Sequence, residues 1–82
     1  MDRSEILALM NTVMVKRGRA EITDETVTTR VANFRSLDFS EVALRIETKV
    51  GEELAFDAAS MRQIETVKDV LDFFAEITRK AA

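Results

Sequence analysis

The chain has no cysteine, no histidine and no proline, and only two glycines in 82 residues. Without cysteine there is no disulfide and no thiolate metal site. Without histidine the commonest acid–base catalyst and metal ligand is missing. No Asp-x-Asp-x-Asp-Gly loop is present that could hold calcium through carboxylates. Neither an active site of its own nor a resident metal is therefore expected. Apolar residues never run long enough for a membrane span or a signal-peptide core, so a cytoplasmic protein without a membrane partner is expected. Internal repeats and low-complexity tracts are also absent. The length leaves room for one small domain, residues 1–82, whose single core gives only a few kcal/mol of net stability.

Charge is mildly acidic, with a net of −3, and it is spread unevenly. Residues 1–19 carry Arg3, Lys16, Arg17 and Arg19 against Asp2 and Glu5, so the excess of acid lies in the remainder. The basic cluster has no wider basic face and no interleaved aromatics, which argues against nucleic-acid binding. It is expected as a solvated helix end, with cations suitably placed at a helix C-terminus.

What is present reads as helix throughout, with nothing that argues for strands. Asp2 and Glu5 have capping-box spacing at the head of a first helix running to Arg17. Its apolar face is Ile6, Leu7, Met10, Val13 and Met14, with Leu9 at the edge and Gly18 as the stop. Residues 18–35 form a long connection, in which Ile22, Val27, Val31 and Phe34 are spaced to tack it to the core. A second helix starts at Ser36 and buries Phe39, Val42, Ala43, Ile46 and Val50, with Gly51 as its stop. Leu54 and Phe56 anchor the next connection, and Asp57 caps a short third helix through Arg62. Ile64 returns to the core, and Thr66 with Asp69 opens a last helix along Val67, Val70, Leu71, Phe74 and Ile77. The tail, Arg79 to Ala82, is expected to fray. The expected fold is an all-α, small antiparallel four-helix bundle, three helices longer and one short.

The informative stretch is Phe34-Arg35-Ser36-Leu37-Asp38-Phe39-Ser40-Glu41-Val42-Ala43-Leu44-Arg45-Ile46-Glu47. Away from the buried stripe, the second helix shows Leu37, Glu41, Leu44 and Thr48, with Asp38 and Arg45 beside them. Two leucines a heptad apart on an outer face, edged by acid, suit a small docking surface better than bare contact with water. Ser36 has two readings on local chemistry. It is a preferred helix N-cap, its hydroxyl accepting a bond from a free backbone N–H; or it is an exposed hydroxyl that carries chemistry.

Ser36-Leu37-Asp38, followed by an acidic, leucine-bearing helix, resembles the modification site of acyl carrier proteins. The likeness extends to the order and lengths of the helices, the long first loop and the Ile64-x-Thr66-Val67 entry to the last helix. It implies a carrier, not an enzyme. Ser36 would receive a 4'-phosphopantetheine arm from coenzyme A, delivered by a separate phosphopantetheinyl transferase with magnesium. The thiol of the arm would hold a substrate as a thioester. A monomer would then be served by an acyl- or aminoacyl-loading enzyme, an acyltransferase or a ketosynthase, in polyketide or related specialised metabolism. Leu37, Asp38, Glu41, Leu44 and Glu47 would meet partners, with Met61 and Arg62 as outlying contacts. Phe34, Phe39, Met10, Met14 and Phe74 would shape a pocket for the cargo, or simply fill the core. The family's usual aspartate before the serine is replaced here by Arg35, which reverses the local field. It suits a dedicated partner with an acidic spot, or the phosphate of the arm, or a drifted carrier that is no longer modified. The competing reading is a helical interaction module in which Ser36 is only a cap and Leu37 and Leu44 bind a partner helix.

Overall fold

The computed structural model describes residues 1–81. Four helices follow in order, α1 over Arg3–Lys16, α2 over Ser36–Val50, α3 over Ala58–Arg62 and α4 over Val67–Ala81. The principal contacts between helices join α1 to α2 and α1 to α4. The expected all-helical, four-helix architecture is therefore observed. Of the tail expected to fray, residues through Ala81 continue α4, and Ala82 lies outside the described residues. No helix among the described residues is long and apolar enough to cross a membrane.

Local chemistry accounts for most of the boundaries. Asp2 and Glu5 form the expected reciprocal box at α1, with Glu5 N–H donating to Asp2 Oδ1 at 2.9 Å. Asp57 accepts from Ser60 N–H at 3.0 Å and starts α3. Thr66 Oγ1 accepts from Asp69 N–H at 3.1 Å, and Asp69 answers by accepting from Thr66 N–H at 3.0 Å. Gly51 ends α2 at φ 77°, and its N–H bonds Glu47 O at 2.9 Å. That left-handed conformation suits glycine because a Cβ there meets its own backbone.

The core is one cluster. Ile6, Met10, Val13 and Met14 of α1 meet Phe39, Val42, Ala43 and Ile46 of α2 and Val67, Val70, Leu71 and Phe74 of α4, with Ile22, Phe34 and Leu54 drawn in from the connections. Phe39 and Phe74 stack at 4.8 Å between ring centroids, and Phe56 and Phe73 pack edge-on or tilted around them. Phe73 and the buried Thr78 were not expected in the core. Phe73 joins through its ring contacts, and the Thr78 hydroxyl is spent on Phe74 O at 2.7 Å.

The long connection between α1 and α2 is stitched to the start of α4. Thr29 N–H donates to Glu65 O, Val67 N–H to Val27 O and Lys68 N–H to Glu25 O, at 2.8–3.0 Å. The last two satisfy free donors in the first turn of α4. Ile22 and Phe34 tack the loop to the core and Val27 is half-buried, as expected. Val31 does not follow them and is 72% exposed. It sits in a turn closed by Ala32 N–H to Thr28 O and Phe34 N–H to Thr29 O, which leaves its side chain outside.

The contrast between Val31 and Phe74 is directly measurable. Phe74→Ala removes a fully buried ring and is expected to cost about 3–5 kcal/mol. A chain of this length has roughly 4–12 kcal/mol in all, so that variant sits near unfolding. Val31→Ala is expected to stay within about 0.5 kcal/mol of the parent. Urea denaturation of the two variants checks both; a large loss from Val31→Ala would mean that the loop packs differently.

Candidate functional site

The start of α2 is built unlike the starts of the other helices. Arg35 holds the N-cap position with extended backbone, and its side chain accepts nothing from the helix. The reciprocal half is present, since Arg35 N–H donates to Asp38 Oδ2 at 2.7 Å. Ser36 is thus the first residue inside the helix and not its cap. Its side chain is exposed, and among the described residues its hydroxyl has no hydrogen-bond partner. The cap reading of Ser36 is corrected on this point, because the acceptor at this helix start is the carboxylate of Asp38.

Asp38 is also the main correction to the expected docking face. It was placed beside the exposed leucines, yet its side chain is fully buried. Arg19 Nη1 donates to Asp38 Oδ2, and Arg17 Nε lies 3.2 Å from Oδ1. Oδ1 is buried without an aligned hydrogen bond, so at that oxygen Arg17 acts by proximity alone. Arg19 also donates to Asn33 O at 2.9 Å. Asn33 takes φ 62°, a left-handed conformation that asparagine tolerates better than most residues. One arginine therefore holds both the end of the long loop and the first turn of α2. The basic cluster at the end of α1 is a clamp on α2 and not a solvated helix end.

Glu41 is engaged in the same clamp. Arg17 Nη2 bonds its Oε1 at 2.7 Å, while Lys16 Nζ at 3.1 Å and Arg45 Nη2 at 3.0 Å share Oε2. These three cations, Arg17 foremost, lower the carboxyl from its ordinary 4.5 to about 2. Glu47 is half-buried and accepts from Leu54 N–H at 2.7 Å, which ties α2 to the following connection. The acidic edge expected around the leucines is therefore largely spent inside the protein. Leu37 and Leu44 do stand out, at 71% and 63% exposure, and Arg35 and Arg62 are exposed as well.

Ser36 opens onto a groove of about 650 Å³, within the usual size of a small-molecule site. Its base is apolar, from buried Phe34, Phe39 and Val70 with half-buried Ile64. Around the mouth stand Ser36, Ser40, Arg30, Arg35 and Met61. Met61 was expected as an outlying contact, and α3 brings it to the groove. Of the residues named for a cargo pocket, Phe34 and Phe39 line it, whereas Met10, Met14 and Phe74 are wholly buried core. Arg30 was missed as a site residue. In sequence it lies six positions before Ser36, inside the long connection, with nothing local to set it apart.

No sequence-family model and no curated protein sequence matches the chain. Among solved structures, a crystal structure of an acyl carrier protein from Thermotoga maritima matches 100% of this chain and 96% of its own, with a TM-score of 0.74 at 21% sequence identity. The chain has the fold of an acyl carrier protein.

Two outcomes test the clamp. Because the folded pKa of Glu41 lies below the unfolded one, its ion pairs contribute fully above about 4.5 and fade as pH falls toward about 2. Glu41→Gln is therefore expected to narrow the stability gap between pH 7 and pH 3 in urea titrations; an unchanged gap would exclude the pairing. Asp38→Ala leaves Arg19 and Arg17 facing an emptied, partly buried site and is expected to cost about 3 kcal/mol. A loss below about 0.5 kcal/mol would contradict the clamp.

Proposed function

We propose that the protein is a carrier that bears a 4'-phosphopantetheine arm on Ser36 and presents thioester-bound intermediates to partner enzymes. The observation that carries this reading is the Ser36 hydroxyl, which is exposed, unbonded and set at the head of α2 beside an apolar groove. A helix cap would have spent that hydroxyl. The carrier fold supports the reading, and so does the fit of the group. The hydroxyl is open for a phosphodiester, the mouth is cationic, and the groove runs from Ser36 past Phe34 and Phe39, with room for a thin arm.

The chain's own part is limited to holding the hydroxyl in place. Attachment exchanges the serine O–H for an O–P bond. The phosphoanhydride of coenzyme A breaks, adenosine 3',5'-bisphosphate leaves, and the serine proton goes to a base on the transferase. No group beside Ser36 is suited to be that base, since Asp38 is committed to Arg19 and to Arg35 N–H. A separate phosphopantetheinyl transferase with magnesium is the partner this requires. When bound, the arm supplies a terminal thiol for the cargo, and the chemistry on the cargo belongs to the partners.

Docking then rests on Leu37, Leu44 and Met61, with Arg62 as a charged contact. Asp38 cannot take part because it is buried, and Glu41 and Glu47 offer little free charge. Partners of this kind are an acyl- or aminoacyl-loading enzyme, an acyltransferase or a ketosynthase, serving a monomeric, cytoplasmic carrier. Polyketide or related specialised metabolism is the proposed setting.

The test is intact-protein mass spectrometry after incubation with coenzyme A, magnesium and a broad-specificity transferase. One phosphopantetheine is expected on the wild type and none on Ser36→Ala. If the folded wild type gains nothing, Arg35→Asp decides the matter. Modification of that variant would mean Arg35 demands its own transferase, and continued silence would end the carrier reading.

A further inference from the structure

The basic side chains fall into two groups. Arg3, Lys16, Arg17, Arg19, Arg45, Lys49, Lys68 and Arg79 each sit in an ion pair with a carboxylate. Among the described side chains, only Arg30, Arg35 and Arg62 have no carboxylate within ion-pair distance. Two of these three, Arg30 and Arg35, line the same groove as Ser36. No aspartate or glutamate lines it. In an acidic protein that matches its other described cations to carboxylates, two unmatched guanidiniums at one groove mouth form a place left open for an anion.

Arg35 is also held in position. Its Nε donates to Asn33 Oδ1 at 3.0 Å. Asn33 is itself fixed, in a left-handed turn whose carbonyl is gripped by Arg19. With Nε occupied, both terminal nitrogens of Arg35 remain without a partner among the described residues. A guanidinium offers paired N–H groups that match the two free oxygens of a phosphate ester. Because the side chain is already tethered, less rotamer freedom is lost on binding.

The geometry points to Arg30 and Arg35 as the site for the phosphodiester that joins the arm to Ser36, so that the arm is anchored at its root and led into the groove. This rests on the carrier reading above and adds a role that the reading does not need. A phosphodiester on Ser36 Oγ is formed next to the Arg35 residue and inside the mouth that Arg30 shares. Its single negative charge replaces the missing carboxylate. An acidic protein partner is the other occupant these cations would fit. They are less suited to it because they line the groove, whereas the surface open to a protein carries Leu37 and Leu44.

The experiment compares wild type, Arg30→Gln, Arg35→Gln and Arg79→Gln, the last removing an equal charge from α4. Each is primed with coenzyme A, and the gain of one phosphopantetheine is verified by mass. The phosphorus resonance of the diester and the arginine Nε–Hε signals are then recorded before and after priming. The expected result is a shift of the Arg30 and Arg35 signals in wild type on priming. The wild-type phosphorus resonance should be displaced from that of Arg35→Gln and, by less, from that of Arg30→Gln. Arg79→Gln should match wild type, and the displacement should shrink in about 1 M salt, where screening acts over about 3 Å. Arginine signals that do not move on priming, with one phosphorus resonance common to all variants, would overturn the inference and leave the two cations to a protein partner.

Failure of the carrier reading is told apart by mass. If the folded wild type gains no arm, apo protein is titrated with coenzyme A. Movement of the Arg30 and Arg35 signals in wild type, absent in Arg35→Gln, would uphold a phosphate site without a covalent arm. No movement would overturn the site as well.

Discussion

The buried carboxylate of Asp38 is the constraint on which the rest of the site depends. A charge placed fully inside an 82-residue protein is unfavourable unless it is matched on the spot. Here Arg17 and Arg19 from the end of α1 and the Arg35 backbone N–H from the end of the long loop converge on it. The convergence brings the end of α1, the end of the long loop and the first turn of α2 to one point. Such a buried pair contributes little net stability compared with an apolar replacement. Its value is geometric, because it fixes where α2 begins and which residue stands at that beginning.

That geometry sets the character of the groove. A serine, threonine or aspartate at position 35 would cap α2 with its own side chain. Arginine cannot accept, so that half of the capping box is missing here and only its reciprocal half remains, with Asp38 accepting from Arg35 N–H. The arginine side chain is turned to Asn33, at the mouth of an apolar groove floored by Phe34, Phe39 and Val70. The Glu41 carboxylate, which would otherwise face outward on α2, is drawn into pairs with Lys16, Arg17 and Arg45. The result is a weakly charged, leucine-bearing helix face beside a cationic mouth. Shallow apolar contacts with few fixed charges suit the proposed carrier, which would bind several partners and release each.

The helices and most of the core were legible in the sequence, because capping pairs, glycine stops and helical periodicity act over a few residues. Asp2 with Glu5, Thr66 with Asp69, and Gly51 all behave as their local chemistry dictates. The two exposed leucines were legible for the same reason, whereas local chemistry left Ser36 between a cap and an exposed hydroxyl. Asp38 was not, because its partners, Arg17 and Arg19, lie across a loop, and a one-dimensional stripe puts it at the boundary of two faces. Val31 obeyed the apolar spacing, but a turn over residues 28–34 placed it outside. Arg30 carried no signal, since only the folded loop brings it to the groove that Ser36 opens.

The most direct test of this account is the stability of Ser36→Ala against wild type in urea at neutral pH. Asp38 and not Ser36 serves the start of α2, and the serine hydroxyl bonds nothing. The variant should therefore match wild type within about 0.5 kcal/mol. A loss of about 1 kcal/mol or more, as removal of a helix cap gives, would mean that the hydroxyl is already committed to the helix and is not free to carry an arm.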